Sequence, residues 1–234
     1  MPIKILAFDT TTELCSVALM IDHHIYDHKI VASRRHSEEI LPMISKLLAE
    51  AGVTLRSLDC IIFNRGPGSF VGIRIGICVA QGLALGADLP LVEVSSLVVL
   101  AQGAWRIFSI KQVISTIDAR MGELYCARYY RMSDNSYWIC YNEESIMTAE
   151  TIATDLTCCS TMLKGSWVLA GTGWNNYVVL KNIKINDTIF LRKIVMSPEA
   201  QDMLPLGAQR FRNKMFLTPK QAQPVYLRNK IVST

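Results

Sequence analysis

The strand and helix signals of this 234-residue chain follow an order that starts again past residue 105, and that restart limits the fold more than any other feature. Residues 3–8, 15–21 and 25–32 read as three short strands joined by the turn-prone segments Asp9-Thr10-Thr11-Thr12 and Asp22-His23-His24. Ser37 then opens a segment in which Ile40, Leu41, Ile44, Leu47, Leu48 and Ala51 recur at helical spacing, with Glu38 and Glu39 suited to a helix N-terminus and Gly52 as terminator. Pro42 must lie near the first turn of that helix or kink it. A buried strand at Cys60–Asn64, the loop Gly66-Pro67-Gly68-Ser69-Phe70, a helix over 72–86 and a strand over 90–94 complete the order βββαβαβ. Strands near 112–118, 123–131 and 136–142, a helix near 148–156, a strand over 167–170 and the turn Gly171-Thr172-Gly173 repeat it. The reading is an α/β chain of two related units, 1–104 and 105–234, with a C-terminal helix over 198–215 and a tail that packs back on the first.

Half the residues are hydrophobic, enough to bury a core without a metal or a disulfide. The seven cysteines, at 15, 60, 78, 126, 140, 158 and 159, form no CxxC pair, which is thiol usage for a reducing compartment. The N-terminus enters a strand at once, without a signal peptide's apolar run, and the apolar stretch 75–100 is broken by Gln81, Asp88, Pro90 and Glu93; both features point to the cytosol and away from a membrane. Net charge is only +4, but from Met203 onward there is no acidic residue, while Arg210, Arg212, Lys214, Lys220, Arg228 and Lys230 are all basic. Without aromatic interleaving or a base-reading motif, this segment reads first as a solvated face and second as a polyanion contact.

The catalytic constellations are weak, although the sequence leaves open a Cys-His pairing through Cys60 or Cys78. His24 and His28 sit on a strand, where positions four apart are about 13 Å from one another, too far to share a metal ion. All four histidines precede residue 37 and Ser69 is not in a G-x-S-x-G elbow, so no triad assembles locally. Gly66 and Gly68 follow a strand and precede a helix, as a phosphate loop would, yet the spacing to Gly72 matches neither the dinucleotide fingerprint nor a P-loop. Asp9, Thr10, Thr11, Gly171 and Gly173 would be the other donors of a nucleotide cleft between the units. On the second helix Gly72, Gly76 and Ala80 make a small-residue stripe beside Ile73, Ile77 and Leu83, which fits either a partner helix or the chain's own sheet.

Several of these segments, taken in order, resemble the TsaB (YeaZ) family: Ile5-Leu6-Ala7-Phe8-Asp9-Thr10-Thr11, His36-Ser37 with Leu41-Pro42-Met43-Ile44, Gly66-Pro67-Gly68-Ser69-Phe70, Gly72-Ile73-Arg74-Ile75-Gly76, Ser95-Ser96-Leu97 and Asp118-Ala119-Arg120-Met121-Gly122-Glu123. Gly171-Thr172-Gly173-Trp174 and Pro224-Val225-Tyr226-Leu227-Arg228 extend the likeness across nearly the whole chain. The resemblance implies an actin-like, Hsp70-like ATPase fold of two ribonuclease-H-like units. It implies a non-catalytic accessory subunit that pairs with a TsaD-like catalytic subunit and, with a TsaE-like ATPase, supports threonylcarbamoyl transfer to adenosine 37 of tRNAs reading codons that begin with A. The catalytic subunit's H-x-x-x-H metal pair aligns with Ser96 and Leu100 here.

The same resemblance places the partner interface on the two first-unit helices, at Ile40, Leu41, Ile44, Leu47, Leu48, Gly72, Ile73, Gly76, Ile77, Ala80 and Leu83. The late basic run offers Arg210, Arg212 and Lys214 as a tRNA contact, and a surface made for a similar fold could pair with its own copy, a homodimer being the partner-free state. No cofactor is required on this reading, and ATP or ADP binding would be weak, since Val71 stands where the family loop commonly has threonine. The alternative is a nucleotide hydrolase or transferase acting alone through the cleft.

Overall fold

The computed structural model describes residues 3–134, 136–141, 143–158, 165–181, 189–194 and 196–228. Cys159 and Lys230, singled out above, lie outside them. The chain divides into two compact units: residues 1–99 with 198–225, and residues 100–197 with 226–234.

The first unit holds strands β1 (Lys4–Asp9), β2 (Leu14–Ile21), β3 (His24–Val31), β4 (Cys60–Asn64) and β5 (Leu91–Val94), and helices α1 (His36–Glu50) and α2 (Phe70–Ala87). Helix α3 (Ser96–Phe108) begins in it and ends in the second unit, so the restart near Trp105 falls inside a helix that the strand-and-turn signals passed over. The sheet order is β3-β2-β1-β4-β5, with β1–β2 and β2–β3 antiparallel and β1–β4 and β4–β5 parallel. Alternation along the strands sends Leu6, Phe8, Ile61 and Phe63 to the face covered by α1 and α2. It sends Ile5, Ala7, Cys60 and Ile62 to the opposite face, covered by Ala200, Met203, Leu204 and Ala208 of the late helix α6 (Ala200–Arg212). The apolar runs Ile5–Phe8 of β1 and Cys60–Phe63 of β4 are what a sheet buried on both sides requires.

The second unit repeats this plan. Strands β6 (Gln112–Arg120), β7 (Glu123–Tyr130), β8 (Ile139–Cys140), β9 (Ser145–Thr148), β10 (Gly165–Ala170) and β11 (Ile189–Ile194) form a sheet ordered β11-β10-β6-β7-β8, with β9 also on β7. Again the first two strands are antiparallel and the parallel ones stand on the other side of the first. Helix α4 (Ala149–Cys158) and the short α5 (Val178–Lys181) lie on one face, over a core of Ile114, Leu124, Ile152, Leu156, Trp167, Leu169 and Trp174.

Pro42 stands inside α1 rather than in its first turn, and the helix runs on past it. Its ring is exposed, so the Glu38 carbonyl that loses an amide partner lies on the solvated side. The stretch 75–100 is split at Asp88–Pro90 into a helix and a strand, as expected, but α2 begins at Phe70 and by length and composition is long enough to cross a bilayer; a third of α2 is buried in this fold.

Candidate partner interface and buried polar site

At the carboxyl ends of β1 and β4 an apolar strand pair finishes in Asp9 and Asn64, and a polar cluster forms there. Asp9 is 1% exposed; one carboxylate oxygen accepts from the Thr11 amide and hydroxyl, both at 2.8 Å, and the other from the Asn64 side-chain amide. Asn64 Oδ1 accepts from the Gly66 amide at 2.9 Å and from Ser96 Oγ at 2.8 Å. Burial pushes the Asp9 carboxyl up to about 6, partly offset by its bonds to the Thr11 backbone, Asn64 and the Thr11 hydroxyl.

This cluster fastens the β1–β2 turn to the glycine-rich loop. Ser69 N–H donates to the Thr11 carbonyl at 2.7 Å and Thr10 Oγ1 donates to the Gly72 carbonyl at 2.7 Å. The approach at Gly72 is so close that a Cβ would collide with the Thr10 carbonyl, while one at Gly76 would press on the Thr10 hydroxyl. These glycines are therefore small because the turn lies against α2. Ser69 caps α2, its Oγ accepting from the Gly72 amide at 3.3 Å, which is a structural use of that hydroxyl.

Asp9, Thr10, Thr11, Gly66 and Gly68 are thus brought together in the first unit, joined by Asn64 and Ser96, which the sequence reading did not assign to the site. A polar residue closing the run Cys60–Phe63 was the available signal. Gly171 and Gly173 belong to the second unit, where both stand against Thr116 of β6 and Gly171 takes φ 114°. That unit also holds a cavity of about 100 Å³ lined by Ile114, Cys126, Met147, Ile152 and Leu156 with Arg128 and Asp155, well under the few hundred Å³ of a typical ligand pocket.

No group of three or more metal-ligating side chains is found among the described residues. His28 contacts Glu50 at 2.6 Å instead. Burial pushes the thiols of Cys15, Cys60 and Cys126 up to about 12, far from a reactive thiolate.

The helix pair corrects the expected interface. Ile40, Ile44 and Leu47 of α1 and Gly72, Ile73, Gly76, Ile77 and Ala80 of α2 are buried, and the large side chains among them join the core of their own unit. Leu48 and Leu83 are half-buried, and Leu41 alone of the eleven is exposed. Apolar periodicity finds the face a helix turns to its sheet, and that is the face it found. The outward side of α2 carries a different set: Val71, Cys78, Gly82, Leu85 and Gly86 are exposed, with Val71 at 63% and Leu85 at 77%. On α1 the outward residues include Leu41, Pro42, Ser45 and Ala49.

Two sheets of one strand order, each with a hairpin beside parallel strands, place the chain in the actin-like ATPase fold class of ribonuclease-H-like units. The family model described as TsaD: tRNA N6-adenosine threonylcarbamoyltransferase matches residues 29–232. The tRNA threonylcarbamoyladenosine biosynthesis protein TsaB of Escherichia coli K12 is 42% identical over 97% of this chain and 96% of its own length. That of Haemophilus influenzae is 34% identical over 98% and 95%. The structure of YeaZ from Pseudomonas aeruginosa superposes with a TM-score of 0.84 at 35% identity, covering 96% of this chain and all of that one. The chain belongs to the TsaB (YeaZ) family.

Proposed function

We propose that this chain is a non-catalytic subunit of the cytoplasmic machinery that forms N6-threonylcarbamoyladenosine at position 37 of tRNAs reading A-starting codons. It acts by binding a TsaD-like catalytic subunit, beside a TsaE-like ATPase. The relatives named for that biosynthesis support the pathway. The partner is supported by one observation above the others: α2 is strongly apolar, with Arg74 its single charged residue, yet only a third of it is buried within the fold. Val71, Cys78, Gly82, Leu85 and Gly86 leave a strip that water solvates poorly and that a second helix pair would cover. Alone, the chain would cover the same strip with a second copy of itself.

The non-catalytic assignment draws on residue identity. Where the resemblance sets the catalytic subunit's metal-binding histidines, this chain has Ser96, whose hydroxyl serves Asn64, and Leu100, which is fully buried. The Asp9 cluster, in turn, spends its donors and acceptors on holding two loops together, so we assign it a structural role and require no cofactor.

The test is reconstitution. The purified chain, the catalytic subunit, or both would be supplied with threonylcarbamoyl-adenylate, the ATPase and unmodified tRNA, and modified adenosine counted. Product that needs both proteins is the expected result. Product from this chain alone would mean that it carries its own active site.

A further inference from the structure

Helix α6 ends in a left-handed cap whose central residue is a lysine. The amides of Asn213, Lys214 and Met215 turn back to the carbonyls of Gln209, Phe211 and Arg210 at 3.1, 2.9 and 2.9 Å, and Lys214 takes φ 58°. Glycine is the residue that adopts this left-handed cap without strain, so a lysine is held there against backbone preference. Two residues on, Leu217 exchanges both backbone hydrogen bonds with Leu91, at 2.7 and 2.9 Å, which pins the far side of the turn to the edge of the first sheet.

The turn pinned in this way displays Arg212 and Lys214 to solvent beside Met215, 50% exposed, and Phe216, 47% exposed. Phe216 is steadied by Phe211, ring centroids 5.9 Å apart. Neither cation has an ion-pair partner among the described residues, and no acidic residue occurs from Met203 onward. Arg210 differs: its guanidinium is 3.7 Å from Glu93, so it leaves the expected trio. Aromatic interleaving, denied on the sequence reading, is present in space.

From this geometry we infer that the turn Arg212–Phe216 contacts an unpaired stretch of the tRNA, a step that rests on the proposed function. Its two cations neutralise phosphates while an unstacked base lies on the Phe216 ring, the combination by which proteins hold single-stranded nucleic acid. A protein partner fits less well, because protein interfaces deplete lysine and two unopposed charges would have to be desolvated there.

The test uses the full chain with the catalytic subunit and an unmodified tRNA reading an A-starting codon, with affinity measured across a salt series. Lys214→Gly removes the charge while easing the cap, so the fold is retained; together with Arg212→Gln it should make the slope of log affinity against log salt shallower by about 0.7 per cation. Phe216→Ala should weaken binding about tenfold at fixed salt and leave the slope unchanged, with the melting temperature as the folding control. Variants that bind tRNA as the wild type does, in a complex that still modifies it, overturn the contact and leave the functional reading standing. Variants that lose the catalytic subunit while the complex that forms binds tRNA normally also overturn it, making the turn a protein contact. A wild-type chain that adds nothing to modification sinks the functional reading, and the RNA contact with it.

Discussion

Asp9 is a carboxylate closed off from water at the end of an apolar strand, and its raised pKa has a consequence of definite sign. Because the folded pKa, about 6, exceeds the ordinary 3.8, the folded state holds its proton over a window in which the unfolded chain has lost it. Stability therefore falls as pH rises from about 4 to 6 and stays at the lower level above that. Relative to Asp9→Asn, the wild type should gain about 1.3 kcal/mol on moving from pH 7 to pH 5, read from urea denaturation of both proteins. A pH-independent difference would mean that the carboxylate is solvated. Gly72 belongs to the same scale: Gly72→Ala has to displace the Thr10 carbonyl and should cost about 3 kcal/mol. Gly76→Arg, the substitution that the small-residue stripe invites, would disrupt the fold and so cannot report on an interface. Lys214→Gly should do the reverse and raise stability by about 1 kcal/mol.

For the elements, the outward strip of α2 makes a cleaner experiment. A side chain at Gly82 meets nothing within 4 Å, so Gly82→Arg should leave the melting temperature unchanged while abolishing co-elution with the catalytic subunit. Co-elution that survives both Gly82→Arg and Leu85→Arg would remove α2 from the interface. The β6–β7 hairpin offers a test of turn chemistry: Met121 at φ 56° precedes Gly122 at φ 81°, a pair of left-handed residues that favours Asn-Gly. Met121→Asn should stabilise by about 0.5–1 kcal/mol in thermal unfolding. Most elements could be read from the sequence because their signals are local, such as the apolar run Cys60–Phe63 or Gly52 just past the end of α1. Helix α3 starts with only Ser95 between it and β5, and neither glycine nor proline marks the change, so the apolar run reads on from the strand without a break. Apolar spacing on α1 and α2 marks the buried face of each helix, whereas exposure of Val71 or Leu85 depends on what the rest of the chain leaves uncovered.

At the scale of the whole molecule, the duplicated order of elements was legible from local strand and helix signals, whereas the shared strand order of the two sheets depends on which strands pair across the chain. The discontinuity of the first unit was less so. Residues 198–225 belong to it, and α6 supplies Ala200, Met203, Leu204 and Ala208 to the face formed by Ile5, Ala7, Ile62 and Val92. A fragment ending at residue 104, a boundary that element order alone suggests, should therefore bind a hydrophobic dye and lack dispersed amide resonances; a folded fragment would show that α6 is dispensable. The same arrangement sets a timetable during synthesis. The ribosome delivers the first sheet roughly a hundred residues before the helix that shields its back face, a wait on the order of ten seconds at ordinary elongation rates. Throughout that interval the strand pair that ends in Asp9 and Asn64 has only one of its two covers, so holding this nascent chain soluble is a task for whatever meets it at the tunnel exit, and it ends only when the last helix arrives.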